Sequence, residues 1–169
     1  QSEVLKLDQL INSAFTTNSS KLSEVLSVVK TIYKGQTPIY IFGETGTGKQ
    51  VLAELVHKLK FGNLEDFYHL NCAAISDTII ESELFGHVKG AFTGADQRKI
   101  GLFEKAHSGT LFLDEIATMS PLMQNKIITA IETKKLKPVG STKEVESHFR
   151  LIAATSSNLS DEVQAGKFR

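Results

Sequence analysis

The stretch from Gly43 to Lys49 combines glycines and a lysine at a spacing suited to phosphate binding. It reads Gly-Glu-Thr-Gly-Thr-Gly-Lys, which satisfies the pattern G-x-x-x-x-G-K between an apolar run and a segment of helical periodicity. The glycines allow a tight turn whose N–H groups converge on phosphate oxygens, and the dipole of the following helix adds positive charge. We therefore expect a nucleotide site in which Lys49 bridges the β- and γ-phosphates. The predicted binding set is Gly43, Glu44, Thr45, Gly46, Thr47, Gly48, Lys49 and Gln50.

An acidic pair, Asp114 and Glu115, follows the apolar run Leu111 to Leu113. A buried parallel strand would deliver both carboxylates to the carboxyl edge of a sheet, where ligands bind in such folds. An acidic pair after a strand is by itself often a solvated turn or the start of a helix. The glycine loop about 65 residues upstream favours a functional pair at the nucleotide site instead.

The elements that must position these residues alternate between short β-rich runs and segments of helical period. Strands are predicted at residues 39–42, 67–70, 110–113 and 149–154. Helices are predicted from Ser19 or Ser20 to about Tyr33, along Leu52 to Leu59, from Asp77 to Phe85, from Pro121 to about Glu132 and from about Ser160. The first of these helices has a predicted apolar face of Leu22, Val25, Leu26, Val29 and Tyr33. The alternation predicts an α/β fold, with a parallel β-sheet sandwiched by α-helices.

Composition narrows the class of protein. The 169 residues fit one domain, and 41% apolar with 22% charged residues is ordinary for a globular protein. Lysine plus arginine (19) equals aspartate plus glutamate (19), so DNA binding is expected only from residues outside this chain. No apolar run approaches the ~20 residues needed to cross a bilayer and no signal peptide is evident, so we expect a soluble cytoplasmic protein.

The cysteine and the histidines point away from redox and metal chemistry. Cys72 is the only cysteine, so no internal disulfide can form, and a small buried residue is favoured over a reactive thiol. The five histidines lack the spacing of metal ligands, and we expect no metal site made by them.

Residues 90 to 95 read Gly-Ala-Phe-Thr-Gly-Ala, with Glu83 to His87 before them and Gly109 to Ile116 after them. In these stretches the chain resembles the bacterial enhancer-binding proteins, AAA+ activators that remodel RNA polymerase carrying the sigma-54 factor. The similarity covers roughly residues 17 to 169. It implies that residues 17 to 169 form an AAA+ P-loop NTPase core that is truncated at its C-terminus, with the helical lid subdomain missing. Residues 1 to 16 match nothing recognisable and are an N-terminal segment of unknown role.

The resemblance implies roles for individual residues, with ATP and Mg²⁺ as cofactors. Asp114 would hold Mg²⁺ through water, and Glu115 would polarise the attacking water. Asn71, which taken alone could be a simple turn former, would hold Glu115 in an inactive pose until the partner is engaged. Ser156 falls at the sensor position and could hydrogen-bond the γ-phosphate or its water. Arg169 falls where the family carries the first of two arginine fingers, which reach into a neighbouring subunit, so self-association into a ring is also implied.

The hexapeptide corresponds to the loop with which the family grips sigma-54. Its glycines give backbone freedom, Phe92 supplies an exposed aromatic anchor, and Thr93 can form hydrogen bonds. A surface loop whose Phe92 folds back onto the core is the alternative, and the matching flanks favour the partner loop. The predicted loop is Gly90, Ala91, Phe92, Thr93, Gly94 and Ala95. Its implied partners are the sigma-54 factor and RNA polymerase, with DNA bound only through a domain outside these residues, and no membrane.

Four positions depart from the family pattern. Relatives usually have an acidic residue in place of Gln50 and of Val88, an arginine in place of Pro138, and an asparagine in place of Ser156. We expect nucleotide binding to survive, hydrolysis to be slower, and the coupling between nucleotide and loop to differ.

The leading prediction is the ATP-hydrolysing core of a sigma-54-dependent transcription regulator that remodels polymerase so that promoters open. The departures keep a second function open, a nucleotide-binding regulatory or assembly module with weak or no hydrolysis. A third is a P-loop ATPase that remodels some other partner.

Overall fold

The computed structural model describes residues 2 to 16, 19 to 166 and 168. Its elements in chain order are α1 (Ser2–Ala14), α2 (Ser20–Ile32), β1 (Ile39–Phe42), α3 (Lys49–Phe61), β2 (Phe67–Asn71), α4 (Asp77–Phe85), β3 (Gly86–His87), β4 (Lys99–Ile100), α5 (Leu102–Lys105), β5 (Thr110–Asp114), α6 (Pro121–Thr133), β6 (Lys135–Leu136), β7 (Val145–Glu146), β8 (Arg150–Thr155) and α7 (Leu159–Gln164). Single 3₁₀ turns follow β2 at Cys72–Ala74 and β5 at Ile116–Thr118.

The central feature is a parallel sheet of four strands in the order β1-β8-β5-β2. Its register pairs Phe42 with Thr155 and Asn71 with Asp114. The carboxyl ends of all four strands therefore meet at one edge of the sheet, which is where parallel α/β folds bind ligands. The predicted α/β fold with a parallel sheet is confirmed.

Helices cover both faces of the sheet. On one face, Phe112 of β5 and Ile152 of β8 are fully buried against α2 and α3. On the other face, Leu111 and Leu113 pack into a larger cluster with residues of α4, α5 and α6. The inner strands are apolar throughout because neither face of a covered parallel sheet contacts water. The predicted sandwich of helices around the sheet is therefore correct.

The N-terminal residues, to which the sequence pattern assigned no element, form the helix α1. Its Ile11 is buried together with Leu26 of α2 and Leu55 of α3. Leu7, a further apolar residue, precedes Ile11 by one helical turn and is partly buried. This helical spacing of apolar residues was the signal in the sequence for α1. The helix packs directly on α3, which follows the glycine loop.

The apolar face predicted for α2 is only partly correct. Leu26 and Val29 are buried, and Tyr33, just beyond the helix, is buried too. Val25 is instead 41% exposed. Helical spacing cannot distinguish a wide buried face from a narrow one, and the extent of burial depends on which neighbours the helix meets.

Two buried polar side chains join distant elements. The guanidinium of Arg150 on β8 donates from Nη1 to the carbonyl of Tyr33 at 2.6 Å and from Nη2 to that of Ile32 at 2.8 Å. These carbonyls lie at the C-terminus of α2, so Arg150 satisfies acceptors that a helix end leaves open. His57 of α3 is likewise buried, with Nδ1 at 2.8 Å from the hydroxyl of Thr110 and Nε2 at 2.8 Å from the carbonyl of Glu65.

Two small antiparallel pairs, β3 with β4 and β6 with β7, lie outside the main sheet. An isolated parallel bridge pairs His87 of β3 with Val139, in the segment between β6 and β7. Strands of two residues are too short to produce a periodic pattern, so the sequence did not predict them. Over the described residues, no helix combines the length and apolar character that crossing a membrane requires.

Candidate active site

The glycine loop lies between β1 and α3, at the carboxyl edge of the sheet. Gly46 (φ 82°) and Gly48 (φ 87°) adopt the left-handed backbone conformation that favours glycine. A Cβ atom on Gly43 would lie 2.9 Å from Oγ1 of Thr47, so this position is sterically closed to a side chain. The hydroxyl of Thr47 donates to the carbonyl of Glu44 at 2.7 Å, and the N–H of Gly43 donates to Thr155 of β8 at 3.3 Å.

Lys49 begins α3 and points back over the loop. Its side chain is only 7% exposed, and Nζ donates to the carbonyls of Gly43 at 2.9 Å and Glu44 at 3.2 Å. Nζ also lies 3.3 Å from Oε1 of Glu115. A lysine this buried is normally paired. Here its ammonium contacts one carboxylate and two backbone carbonyls. A polyphosphate carries more negative charge than these groups and would compete with them for Nζ.

The acidic pair lies at the end of β5, with Asp114 as its last residue and Glu115 just after it, as its position after an apolar run predicted. Glu115 has a left-handed backbone (φ 53°, ψ 47°), and its N–H donates to Oδ1 of Asp114 at 3.0 Å. A non-glycine residue in this region is uncommon and costs conformational energy. This backbone conformation lies at the sheet edge and turns the side chain of Glu115 toward the end of β8.

The carboxylate of Glu115 is held mainly by Ser156. Its Oε2 accepts hydrogen bonds from the backbone N–H of Ser156 at 3.0 Å and from the Ser156 hydroxyl at 2.9 Å. Burial alone would raise the pKa of Glu115, but the two bonds from Ser156 and the ammonium of Lys49 outweigh it and hold the pKa below its usual value. The carboxylate is thus ionised and fixed in direction.

Asn71 lies in the same cleft. Its Oδ1 accepts from the N–H of Ala73 at 3.0 Å and so caps the turn after β2. Among the described residues, the hydrogen-bond partners of the Glu115 carboxylate are Ser156 and Lys49. The capping bond of Asn71 uses Oδ1, whereas a hold on the Glu115 carboxylate would use the amide N–H donors, so the role of Asn71 toward Glu115 stays a prediction.

Lys49, Glu115, Ser156 and Asn71 line one cleft of about 650 Å³, whereas Gly43, Glu44 and Thr47 of the predicted binding set do not. Its walls are Thr45, Gly46, Gly48, Lys49, Gln50, Asn71, Ala73, Asp114, Glu115, Thr118 and Ser156. The amide of Gln50 donates to Oε1 of Glu54 one helical turn along α3, at 2.9 Å. Asp114 also lines the cleft, and its carboxylate oxygens are donors of the kind that suits Mg²⁺.

The segment from Gly90 to Ala95 forms a compact loop beyond β3. The N–H of Gly90 donates to the carbonyl of Ala95 at 2.8 Å, and the N–H of Ala95 donates to that of Phe92 at 3.0 Å. Phe92 is 40% exposed, and its ring meets the ring of His87 edge-on at 4.9 Å between centroids. Nδ1 of His87 lies 2.9 Å from the hydroxyl of Ser82 on α4. Phe92 is thus exposed, as predicted, while one edge of its ring rests on His87.

The base of the loop rests on the chain just after Pro138. The N–H of Val88 donates to the carbonyl of Val139 at 3.1 Å, and the N–H of Val139 donates to Gly86 at 2.9 Å. Gly140 (φ 77°) lies so close that a Cβ atom there would be 2.8 Å from Cβ of Ala91. The sequence indicated only that Val88 and Pro138 replace residues that are usually charged in relatives. The structure joins the two segments through backbone hydrogen bonds and van der Waals contact.

Cys72 and the histidines add no further chemistry. Cys72 is buried, and burial, with the charges of Asp114 and Asp77, raises the pKa of its thiol to about 12. The thiol is therefore inert at neutral pH, as expected of a small buried residue. In the described part of the chain, no group of three or more His, Cys, Asp or Glu residues could hold a metal ion. Arg169, the predicted arginine finger, lies outside the described residues.

Sequence comparison with known proteins identifies a family and several relatives of this chain. Residues 15–169 match the family model described as the Sigma-54 interaction domain. The Nif-specific regulatory protein of Rhizobium leguminosarum bv. trifolii is 44% identical over 151 residues, which cover 89% of this chain and 43% of that protein. The transcriptional regulatory protein ZraR of Salmonella typhimurium is 43% identical over 152 residues, covering 90% of this chain and 34% of that protein.

Solved structures agree with the sequence comparison. NtrX from Brucella abortus in complex with ADP has a TM-score of 0.82 and 31% identity, covering 92% of this chain and 34% of that one. NtrX in complex with ATP has a TM-score of 0.81 and 29% identity, covering 99% of this chain and 39% of that one. This chain therefore spans less than half the length of each of these relatives.

Proposed function

The chain belongs to the sigma-54 interaction domain family of AAA+ transcription regulators, and we propose that it binds ATP and hydrolyses it to remodel RNA polymerase carrying sigma-54. The purpose of the remodelling would be promoter opening. Residues 17 to 169 would form the ATPase core, with α1 packed on it through Ile11.

One observation carries this proposal, the convergence of Lys49 and Glu115. Their side chains come from α3 and from the end of β5, more than 60 residues apart in sequence, and lie 3.3 Å apart in one cleft. A buried ammonium and an ionised carboxylate at the mouth of a glycine loop are two of the groups that catalyse phosphoryl transfer to water. The ammonium would neutralise the phosphates, and the carboxylate would accept a proton from the attacking water.

The remaining residues of the cleft would have supporting roles. The N–H groups between Gly43 and Gly48 would bind the phosphates, together with the N-terminus of α3. Asp114 would hold Mg²⁺, which supplies charge neutralisation at the phosphates when bound. Arg169 would reach the nucleotide of a neighbouring subunit in a ring, so hydrolysis would depend on assembly.

The Gly90–Ala95 loop would make the contact with sigma-54. Phe92 is exposed enough to serve as an aromatic anchor, and the loop is joined to the body of the protein through Val139 and Gly140. DNA would be bound only by parts of the protein outside these residues, and the site of action would be the cytoplasm, where polymerase is.

Steady-state phosphate release by the full-length protein tests the hydrolysis. We expect turnover that requires ATP and Mg²⁺ and that falls by at least about a hundredfold in Glu115→Gln, because an amide cannot accept the proton. Binding of a fluorescent ATP analogue should persist in that variant and serves as its folding control. An assembled ring of the wild-type protein that releases no phosphate would refute the hydrolysis.

The partner is tested separately, with Phe92→Ala. We expect this variant to lose sigma-54-dependent transcription while it retains ATP hydrolysis, since Phe92 lies outside the cleft. Substitution of the nearby exposed Lys89 by alanine is a matched surface control. Hydrolysis and transcription that both persist in Phe92→Ala would instead favour an ATPase that remodels some other partner.

A second candidate is a nucleotide-binding regulatory or assembly module with little or no turnover. It is favoured by the engagement of both oxygens of Glu115, one with Ser156 and the other with Lys49. A carboxylate that stayed so engaged after ATP bound could not accept a proton. Assembly that depends on ATP but proceeds equally well in wild type and Glu115→Gln, without phosphate release, would favour this candidate.

A further inference from the structure

Two donors of one residue, Ser156, converge on one oxygen of Glu115. The backbone N–H and the side-chain hydroxyl of Ser156 lie 3.0 and 2.9 Å from Oε2. Both bonds are of ordinary length and have an ionised acceptor, which makes them stronger than bonds between neutral groups. Oε2 is therefore the oxygen of Glu115 that the protein holds more firmly.

The arrangement depends on adjacent strands. β5 and β8 pair in parallel, with Leu113 opposite Ala153, so the residues that follow each strand leave the sheet side by side. The left-handed backbone of Glu115 turns its side chain toward β8. On the other strand, the N–H of Ser157 donates to the hydroxyl of Thr155 at 3.1 Å, which fixes the turn that carries Ser156.

The second oxygen of Glu115 is held more weakly. Oε1 lies 3.3 Å from Nζ of Lys49, and that same ammonium donates to two carbonyls of the glycine loop. An ammonium shared among three acceptors can turn to a phosphate group that carries more negative charge. The contact of Oε1 with Lys49 is therefore the one that nucleotide binding would break, whereas the bonds of Oε2 with Ser156 would remain.

We propose that Ser156 is a positioning residue that holds Oε2 of Glu115 and so leaves Oε1 as the oxygen that receives the proton of the attacking water. This inference rests on the proposed ATP hydrolysis. In the step, the water oxygen forms a bond to the γ-phosphorus while the bond from phosphorus to the β–γ bridging oxygen breaks. The bridging oxygen keeps that electron pair, and one water proton passes to Oε1. Ser156 thus acts through Glu115 and does not contact the γ-phosphate.

The choice of residue suits this role. The hydroxyl oxygen of serine is bonded directly to Cβ, so it stays close to the backbone N–H, and the two donors form a short fork. Threonine offers the same hydroxyl at the same place, whereas alanine leaves only the N–H. Comparing Ser156→Ala with Ser156→Thr therefore isolates the hydroxyl bond.

The experiment is a steady-state ATPase assay of the full-length protein as wild type, Ser156→Ala, Ser156→Thr and Glu115→Gln. We expect Ser156→Ala to lower kcat about tenfold, from loss of one charge-assisted hydrogen bond, with KM and the dissociation constant of an ATP analogue changed less than about twofold. Ser156→Thr should retain kcat within about twofold. A merely structural role for Ser156 would not produce this separation of kcat from KM.

Each outcome decides between the alternatives. An unchanged or raised kcat in Ser156→Ala, while wild type hydrolyses ATP and Glu115→Gln does not, would overturn the role of Ser156 alone. A rise in KM with kcat retained would also overturn it, because it would indicate a direct contact with nucleotide. Absence of turnover in the wild-type ring would refute the hydrolysis itself, and the role of Ser156 with it.

Discussion

The buried guanidinium of Arg150 allows a stability prediction that follows from the fold alone. We consider Arg150→Met, which keeps a long unbranched side chain but removes every hydrogen-bond donor. The arginine is 1% exposed and donates to the carbonyls of Tyr33 and Ile32, at the C-terminus of α2. The change therefore tests how strongly β8 and α2 are joined through this one side chain.

The magnitude is a balance of three contributions. A hydrogen bond from a charged donor contributes about 1.5–3 kcal/mol, and two are lost. The carbonyl of Ile32 also accepts from the N–H of Gly35 at 3.0 Å, so that acceptor remains partly satisfied. Methionine also relieves the cost of burying a charge, a cost that lowers the pKa of Arg150. We expect a net loss of about 2–4 kcal/mol in the free energy of unfolding.

Urea denaturation followed by circular dichroism measures this loss. The midpoint should fall in Arg150→Met while the slope stays constant, and the melting temperature should fall by about 5–15 °C for a protein of this size. Arg150→Lys is the matched control, because one ammonium can reach a carbonyl and should recover part of the loss. A variant within about 0.5 kcal/mol of wild type would refute the reasoning, because it would mean that the bonds only offset the cost of burying the charge.

Two further predictions concern pH and the loop. Burial is the main reason that the pKa of His57 lies below its usual value of 6.5, so the unfolded chain binds more protons, and the free energy of unfolding should decrease as pH falls below about 6.5. The change of unfolding free energy with pH should reach at most about 1.4 kcal/mol per pH unit from this group, and it should be smaller in His57→Gln. Denaturation at several pH values measures this change. An equal change in both proteins would contradict the assignment to His57. Gly140→Ala should disturb the loop, since its Cβ atom would lie 2.8 Å from Cβ of Ala91 at a φ of 77°. We expect weaker binding of sigma-54, measured by pull-down with purified factor, and unchanged binding of an ATP analogue; normal sigma-54 binding would show that the contact with residue 91 is not needed.

Sequence patterns predicted the elements best where a run of residues has clear boundaries. α4 was predicted at Asp77 to Phe85 and has those bounds. The main strands were also predicted to within one residue at either end, because buried strands are short apolar runs bounded by polar residues. β3, β4, β6 and β7 have two residues each, and their pairing depends on neighbours distant in the chain.

At the candidate site, the sequence predicted the membership of the cleft better than its contacts. Lys49, Asp114, Glu115, Asn71 and Ser156 all line it, as parallel strands ending at one edge require. Which side chain meets which could not be predicted in the same way. Asn71 caps its own turn, and Ser156 holds Glu115, because hydrogen-bond partners depend on distances of a few tenths of an ångström and on local backbone conformation.

Local patterns in the sequence were enough to indicate a nucleotide site and the order of its parts along the chain. The spacing in Gly43 to Lys49, the acidic pair after an apolar run and the Gly90–Ala95 hexapeptide are such patterns, so they can be recognised without a fold. The contacts between these parts became visible in the folded chain. The left-handed turn at Glu115 and the parallel register of β5 with β8 bring Ser156 to the carboxylate, and Gly140 comes against Ala91 in the loop. The physical reason is that hydrogen bonds and van der Waals contacts act over a few ångströms, and which residues come that close depends on the packing of the whole chain.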